Sequence, residues 1–133
     1  MPRTTAAPSA TACPELPLHF AALGRRQVVA DFSGGHLSTD GGALLLRSVD
    51  RAMGVTVRVA RAFTDHRDAR YCDHSLLHLI TQRIYGDALG YGDLNDHDTL
   101  RRDPLLAVAC DKLEPLGTDR RHAHDHGVAL AGS

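Results

Sequence analysis

Aspartates, arginines and tyrosines crowd into residues 82–106, QRIYGDALGYGDLNDHDTLRRDPLL. The aspartates that could share one divalent cation through their hard oxygen ligands are Asp87, Asp93, Asp96 and Asp98. Their spacing lacks the glycine and the terminal glutamate of an EF-hand loop. The same side chains suit caps and turns, where short acceptors satisfy backbone N–H groups. The stretch therefore predicts either a cation site or, more simply, a joint between two helices.

Histidines form a second group that could hold a metal. His74 and His78 in HSLLH are four residues apart, so a helix would place both imidazoles on one face. No glutamate lies between them as a general base, and a third ligand would have to come from elsewhere. Two histidines at the rim of the core are the simpler interpretation. The HAHDH tract, with His122, His124 and His126, is typical of tails that bind stray metal ions.

Motifs for covalent or nucleotide chemistry do not occur in the sequence. Ser33 is not in a G-x-S-x-G elbow, and SGGHLSTDGG has neither a Walker lysine nor G-x-G-x-x-G spacing. Cys13, Cys72 and Cys110 are far apart and form no C-x-x-C pair, as expected for reduced thiols. No apolar run approaches the roughly 20 residues of a membrane span. We therefore expect a cytoplasmic protein without a membrane partner.

Charge does not by itself indicate a nucleic-acid-binding protein. The 15 basic and 16 acidic residues leave a formal net charge of -1. Residues 1–60 carry six arginines against four acids, and the remainder carries nine basic against twelve acidic residues. Neither half is therefore a basic arm. Aromatic residues make up only 5% of the chain and tryptophan is absent, so aliphatic residues must form the core.

The elements that would position these groups begin with a hairpin. Val28, Ala30 and Phe32 alternate along the chain as in a strand. Gly34 and Gly35 supply the positive φ angles of a tight turn into a second short strand. Because an isolated two-stranded hairpin is marginally stable, it must pack on a helix or join a larger sheet.

The segment STDGGALLLRSVDRAMG predicts the first helix. Ser38 or Thr39 can cap it, Asp40 suits the positive end of its dipole, and Gly54 can close it. Its expected inward face consists of Leu45, Val49, Ala52 and Met53. A second short helix, VTVRVARAF, follows, and TDHRDARYCDHS then forms a polar connection.

Two further helices are predicted. The longer one runs from about His74 to Leu89 with Asp73 as its cap. Its apolar stripe recurs every four residues, at Leu76, Ile80, Ile84 and Ala88. The last helix begins with Asp103 as N-cap and Pro104 at its first position, and it continues through LLAVACDKL.

Together these elements predict a mainly α fold with a small N-terminal β-hairpin, in the α+β class. The expected organisation is a disordered segment over residues 1–23, a helical domain over residues 24–116 and a tail over residues 117–133. The expected core residues are Leu45, Val49, Leu76, Ile80, Ile84, Leu105, Leu106 and Val108.

Several segments, in matching order and spacing, resemble a known family. DGGALLLR, DHRDARY, QRIYGDALGYGDLNDHDTLRRDP and DRRHAHDHGVALAG are similar to the N-terminal region of bacterial insertion-sequence transposases of the DDE class. The resemblance covers about residues 28–131, most of the chain. It implies a helical N-terminal transposase domain. In the full-length family, two Asp and one Glu on an RNase H-like sheet hold two Mg²⁺ ions that cleave and join DNA strands.

The sequence departs from that family in its catalytic motif. The family's first catalytic Asp lies in a D-x-D-A-T-like segment, and no such segment occurs in this sequence. The resemblance therefore implies a fragment that lacks the RNase H-like core, with no catalytic residue, metal ligand or cofactor of its own. We expect the chain alone neither to nick nor to join DNA.

DNA is the partner that the resemblance implies, because this region of related transposases helps to bind terminal inverted repeats and to assemble the protein–DNA complex. The arginines predicted to contact phosphates are Arg67, Arg70, Arg83, Arg101 and Arg102. Nearby aspartates imply weak, salt-sensitive binding. Two alternatives stay open: a non-catalytic module that associates with itself or with intact transposase, and a decayed element without function.

Overall fold

The computed structural model describes residues 16–31 and 40–132, which form a hairpin followed by short helices. The elements are β1 (Leu18–Leu23), β2 (Arg26–Ala30), α1 (Gly42–Met53), α2 (Val55–Arg61), α3 (Leu76–Ala88), α4 (Asp96–Leu100) and α5 (Pro104–Ala109), with 3-10 turns at Ala69–Tyr71 and Ala123–Asp125. The predicted α+β class, mainly α with an N-terminal hairpin, is confirmed. Within the described ranges, no helix has the length and apolar character needed to cross a bilayer.

The hairpin that the structure describes turns at Gly24. β1 and β2 pair antiparallel, with His19 opposite Val29. Gly24 has a φ of 59°, and a Cβ at this position would lie 3.2 Å from the Leu113 side chain, so glycine relieves both constraints. The end of the segment expected to be disordered is therefore strand β1. The predicted turn at residues 34–35 lies outside the described residues, as do residues 1–15.

Helix α1 buries the face opposite to the predicted one. Ala43 and Arg47 are buried, whereas Leu45, Val49 and Met53 are 63%, 53% and 58% exposed. The assignment of Leu45 and Val49 to the core was wrong. The apolar period of α1 does select the side that carries Leu45, Val49 and Met53, but this fold leaves that side exposed and buries the side of Arg47 instead.

The ends of α1 match the predicted signals only at the C-terminus. Gly54 adopts a left-handed conformation with a φ of 65°, and its N–H donates to the Asp50 carbonyl at 2.6 Å. Gly41 occupies the N-cap position without a side-chain hydrogen bond. The predicted caps Ser38 and Thr39 lie outside the described residues. Helix α2 then begins directly after Gly54, as expected for the second short helix.

Helix α3 begins later than predicted. Ser75, not Asp73, is its N-cap, and the Ser75 hydroxyl accepts a hydrogen bond from the His78 N–H at 3.2 Å. His74 therefore precedes the helix. The predicted stripe is only half-buried at Leu76, Ile80 and Ile84, and Ala88 is exposed; the fully buried positions are Thr81, Gln82, Tyr85 and Gly86. The core-facing side of α3 is thus rotated by about one residue from the predicted stripe.

The predicted start of the last helix is confirmed. The Asp103 carboxylate accepts a hydrogen bond from the Leu105 N–H at 2.8 Å, and Pro104 opens α5. The helix ends at Ala109, earlier than predicted, and Asp111 adopts the left-handed region with a φ of 60°. That conformation cannot continue a right-handed helix.

The core lies between α1, the end of α3, α4, α5 and the C-terminal segment. Its buried members are Ala43, Tyr85, Leu100, Leu106, Ala107, Ala109, Cys110, Ala129 and Leu130. Small side chains let α1 and α5 approach closely. The backbone N–H groups of Ala129 and Leu130 both donate to the Arg101 carbonyl, at 3.0 and 3.2 Å. The segment after Pro115 therefore packs on the helices, although its sequence has no helical period.

Candidate nucleic-acid interface

Two of the predicted DNA-binding arginines lie in a repeated Asp-x-Arg unit that follows α2. Asp65 accepts hydrogen bonds from the backbone N–H of Arg67 at 3.1 Å and from its guanidinium at 2.8 and 2.7 Å. Asp68 binds Arg70 in the same way, with a backbone contact of 3.0 Å and a closest guanidinium contact of 2.7 Å. The hydrogen bonds from Arg67 lower the pKa of Asp65 to about 2. Both arginines are thus already paired within their own turn.

Arg83 connects α3 to the joint before α4. Its guanidinium lies 3.1 Å from the Asp87 carboxylate, 3.1 Å from the His97 ring and 3.1 Å from the Gly92 carbonyl. The two segments meet closely, because a Cβ at Gly86 would lie 3.3 Å from the His97 ring. These contacts make Arg83 part of the framework of the joint.

Arg101 and Arg102 differ from each other although they are adjacent. The Arg101 guanidinium donates to the Asp98 carbonyl at 3.3 Å and lies 3.8 Å from the Asp98 carboxylate. Arg102 is exposed and has no carboxylate partner among the described residues. Four of the five predicted arginines are therefore paired with an aspartate of their own segment. Their assignment to DNA binding stays a prediction.

The aspartates of residues 82–106 serve as turn acceptors, caps and ion-pair partners. Asp93 accepts a hydrogen bond from the Asn95 N–H at 3.0 Å, and Asp103 caps α5 as described. Across residues 16–31 and 40–132, no three His, Cys, Asp or Glu side chains converge as a metal site requires. The structure thus shows this stretch as a joint between helices.

His74 and His78 do not form the helical pair that their spacing suggested. His74 is buried before the start of α3, and its ring lies 3.1 Å from the Arg120 guanidinium. Burial, followed by the charges of Arg120 and Lys112, lowers the pKa of His74 to about 4. Burial also lowers the pKa of His78. Both imidazoles are therefore neutral at physiological pH and contribute to packing.

A polar cluster joins α1, α2 and α3 beside a cavity of about 230 Å³. Asp50 accepts hydrogen bonds from the Thr56 hydroxyl at 2.5 Å, the Thr56 N–H at 2.9 Å and the Tyr85 hydroxyl at 3.1 Å. Burial raises the pKa of Asp50, but these hydrogen bonds outweigh it and lower the pKa below its usual value. Burial and the Asp50 charge raise the pKa of Tyr85. Asp50 is thus an ionised acceptor that holds three helices together.

A buried arginine, which the sequence analysis missed, anchors the hairpin to the helices. The Arg47 guanidinium binds the Asp111 carboxylate at 2.6 and 2.9 Å and donates to the carbonyls of Ala21 at 2.5 Å and Ala22 at 3.2 Å. Arg51 shares the same carboxylate at 2.9 Å from a more exposed position. These contacts explain why α1 turns its Arg47 face inward.

Gln82 holds the C-terminal segment against α3. Its amide nitrogen donates to the Ala131 carbonyl at 2.8 Å, and its amide oxygen accepts from the Ala131 N–H at 3.1 Å. Because the side chain is 4% exposed, both hydrogen bonds are shielded from water. No local sequence signal predicts this contact, because Gln82 and Ala131 are 49 residues apart in the chain.

Two further arginines, which were not among the predicted DNA contacts, lie on α2. Arg58 and Arg61 are exposed, and neither has a carboxylate partner within the described part of the chain. The signal was present in the sequence, because VTVRVARAF contains two cations and no acid.

Comparison with known proteins identifies the family. The family model described as "Transposase DDE domain group 1" matches residues 20–127. Neither a curated protein nor a solved structure matches the chain. The matched range includes most of the hairpin, helices α1 to α5 and the joint between α3 and α5. The chain therefore belongs to the transposase DDE domain group 1 family.

Proposed function

We propose that this protein acts in the cytoplasm as a DNA-binding and assembly region of a transposase, with the terminal inverted repeats of an insertion sequence as its DNA. The observation that carries the proposal is the family match over residues 20–127. Transposases act on DNA, so a region that takes part in transposition must either hold DNA or position the chains that do.

The charge distribution supports contact with the DNA backbone. Most of the described carboxylates that could repel phosphates already bind arginines, backbone N–H groups or hydroxyl groups. Exposed arginines without such partners include Arg58, Arg61 and Arg102. A guanidinium in this state can pair with a phosphate without first breaking an ion pair.

The described residues do not fit the divalent ions that this family's chemistry uses. Such ions require converging carboxylates, and the described residues contain no such group. The proposal therefore gives these residues a binding role and no step in strand cleavage or joining.

Fluorescence anisotropy with the full chain and a labelled duplex tests the proposal. We expect weak binding that falls steeply with salt, because contacts to phosphates release condensed counterions. Selection from a random duplex library, followed by the same titration, shows whether a preferred sequence exists. Absence of binding at low salt, up to about 100 µM of folded protein, would contradict the proposal, since non-specific protein–DNA affinities reach that range.

A second candidate function is favoured by the outer face of α1. Leu45, Val49 and Met53 recur every four residues and are more than half exposed. Contiguous exposed apolar side chains are a feature of protein–protein contact surfaces. The corresponding proposal is a non-catalytic module that associates with another transposase chain, either a second copy or the intact enzyme.

The oligomeric state separates this candidate from the first. Light scattering coupled to size exclusion would show a mass that rises with concentration in the wild type. The Leu45→Gln/Val49→Gln variant would stay monomeric without loss of folding, because both side chains are exposed. A monomeric wild type that binds DNA would exclude association with a second copy and support the first candidate.

A further inference from the structure

The solvent face of α2 carries two arginines on one side of a short helix. Thr56 is buried and Ala60 is half-buried, so this side of the helix packs inward, next to α3. At about 100° of rotation per residue, Arg58 and Arg61 project from the opposite side. Both side chains are exposed.

This face is positively charged, and the next acid along the chain, Asp65, already pairs with Arg67. Residues 55–64 contain two arginines and no Asp or Glu. The contrast with the next segment is direct: Arg67 and Arg70 each bind an aspartate two residues earlier. The positive charge of α2 is therefore available to an external anion, whereas that of the following turn is largely neutralised.

The spacing of the two arginines suits a polyphosphate. Residues three apart on a helix have Cβ atoms about 5–6 Å apart. Phosphates recur about every 3.4 Å along the axis for each DNA strand, so two guanidinium groups at this spacing can contact different phosphates of one strand. Val57, which is 38% exposed, lies on the same side of α2 as Arg61 and can pack on sugar atoms.

We propose that Arg58 and Arg61 form a phosphate-contacting surface on α2 through which this protein holds DNA; the proposal rests on the DNA-binding function proposed above. The contacts are to the backbone, so they position the duplex and do not read its sequence. This surface differs from the five arginines that the sequence predicted.

Charge-removing variants in the full chain compare the two surfaces. We expect Arg58→Gln/Arg61→Gln to weaken binding of a mixed-sequence duplex by about tenfold or more at low salt. The slope of log affinity against log salt should fall by about 2, close to one counterion for each lost phosphate contact. Arg67→Gln/Arg70→Gln removes the same charge from the adjacent exposed segment, and its loss should be several times smaller. Arg58→Lys/Arg61→Lys should restore most of the binding, because a backbone contact needs the charge more than the guanidinium shape.

Substitutions that add a positive charge provide a second test, which does not require the removal of arginines that stabilise the helix. Ala62 is exposed at the end of α2, so Ala62→Lys adds a cation beside Arg58 and should strengthen binding by about threefold. Ala69→Lys adds the same charge to the turn of Arg67 and should have a smaller effect. Circular dichroism confirms that each variant is folded.

The outcomes separate the two proposals. Binding by the wild type with equal losses in both arginine pairs means that only net charge matters, which overturns the α2 surface and leaves DNA binding intact. A loss of helix stability in the α2 variant without loss of binding would assign the arginines to the helix dipole, again against the surface. Absence of binding by the wild type overturns the proposed function itself.

Discussion

Arg47 in α1 and Arg58 in α2 are identical side chains in opposite surroundings, although they belong to consecutive helices. Arg47 is 2% exposed, and its guanidinium donates hydrogen bonds to the Asp111 carboxylate and to two carbonyls of the hairpin. Arg58 is exposed and has no carboxylate partner in the described part of the chain. The first guanidinium holds separate parts of the chain together, and the second remains available to a ligand.

Whether an arginine of this protein stabilises the fold or is available to a ligand therefore depends on the groups that it binds. Between these extremes lie Arg67 and Arg70, which are exposed but bound to aspartates of their own turn. A surface ion pair of this type adds little to stability and reduces the charge offered to DNA. Substitutions at buried and exposed positions should therefore differ in their effect on stability.

Removal of the buried guanidinium should have the largest effect. We expect Arg47→Ala to lower the free energy of unfolding by about 3 kcal/mol, because it leaves a cavity and breaks a buried charge network. Urea denaturation followed by circular dichroism measures the loss. The matched control is Arg51→Ala, which removes the second partner of Asp111 from an exposed position and should cost at most about 1 kcal/mol. Equal losses in the two variants would contradict the assignment of Arg47 as the anchor.

A second buried contact should make stability depend on pH. The charged groups that act on His74 are the cations Arg120, Lys112 and His78 and the carboxylate of Asp73. Burial, followed by the cations, lowers the pKa of His74 from an ordinary 6.5 to about 4 in the folded protein. Between these values the unfolded chain binds the proton and the folded chain does not. The free energy of unfolding therefore falls as the pH drops through this window, by up to roughly 3 kcal/mol at about 1.4 kcal/mol per pKa unit.

Denaturation curves between about pH 7 and pH 4.5 measure this dependence before most carboxylates titrate. His74→Gln should flatten the profile because it removes the titrating group. His66→Gln serves as the control, since His66 is an exposed histidine of the α2–α3 connection. Parallel profiles for wild type and His74→Gln would show that another group is responsible.

The exposed ion pairs should have the smallest effect. Arg67→Ala/Arg70→Ala should leave the urea midpoint unchanged, because both arginines pair in solvent with aspartates of the same turn. A clear drop in the midpoint would mean that the Asp-x-Arg units order the whole connection between α2 and α3. Such a result would show that Arg67 and Arg70 stabilise the fold, as Arg47 does.

Local signals account for much of what could be predicted about the fold. Gly54 ends α1 and Asp103–Pro104 opens α5 because cap geometry depends on neighbouring residues alone. The candidate site was harder to predict. Arginines were chosen because they flank helix starts, yet their availability depends on whether an aspartate two to four residues away folds back onto them.

The family, the mainly helical class, the presence of a hairpin and the joint between α3 and α5 could all be predicted from the amino-acid sequence. These features follow from segment order and from interactions within a few residues. Only the tertiary structure decided which face of α1 is buried, that Gln82 pairs with Ala131, and which arginines are free of carboxylates. In α1 the apolar period selects the side of Leu45, Val49 and Met53, yet the structure leaves that side exposed and buries Arg47 on the other. Arg47 faces inward because it binds Asp111, which is 64 residues later in the chain and comes close only when the chain folds.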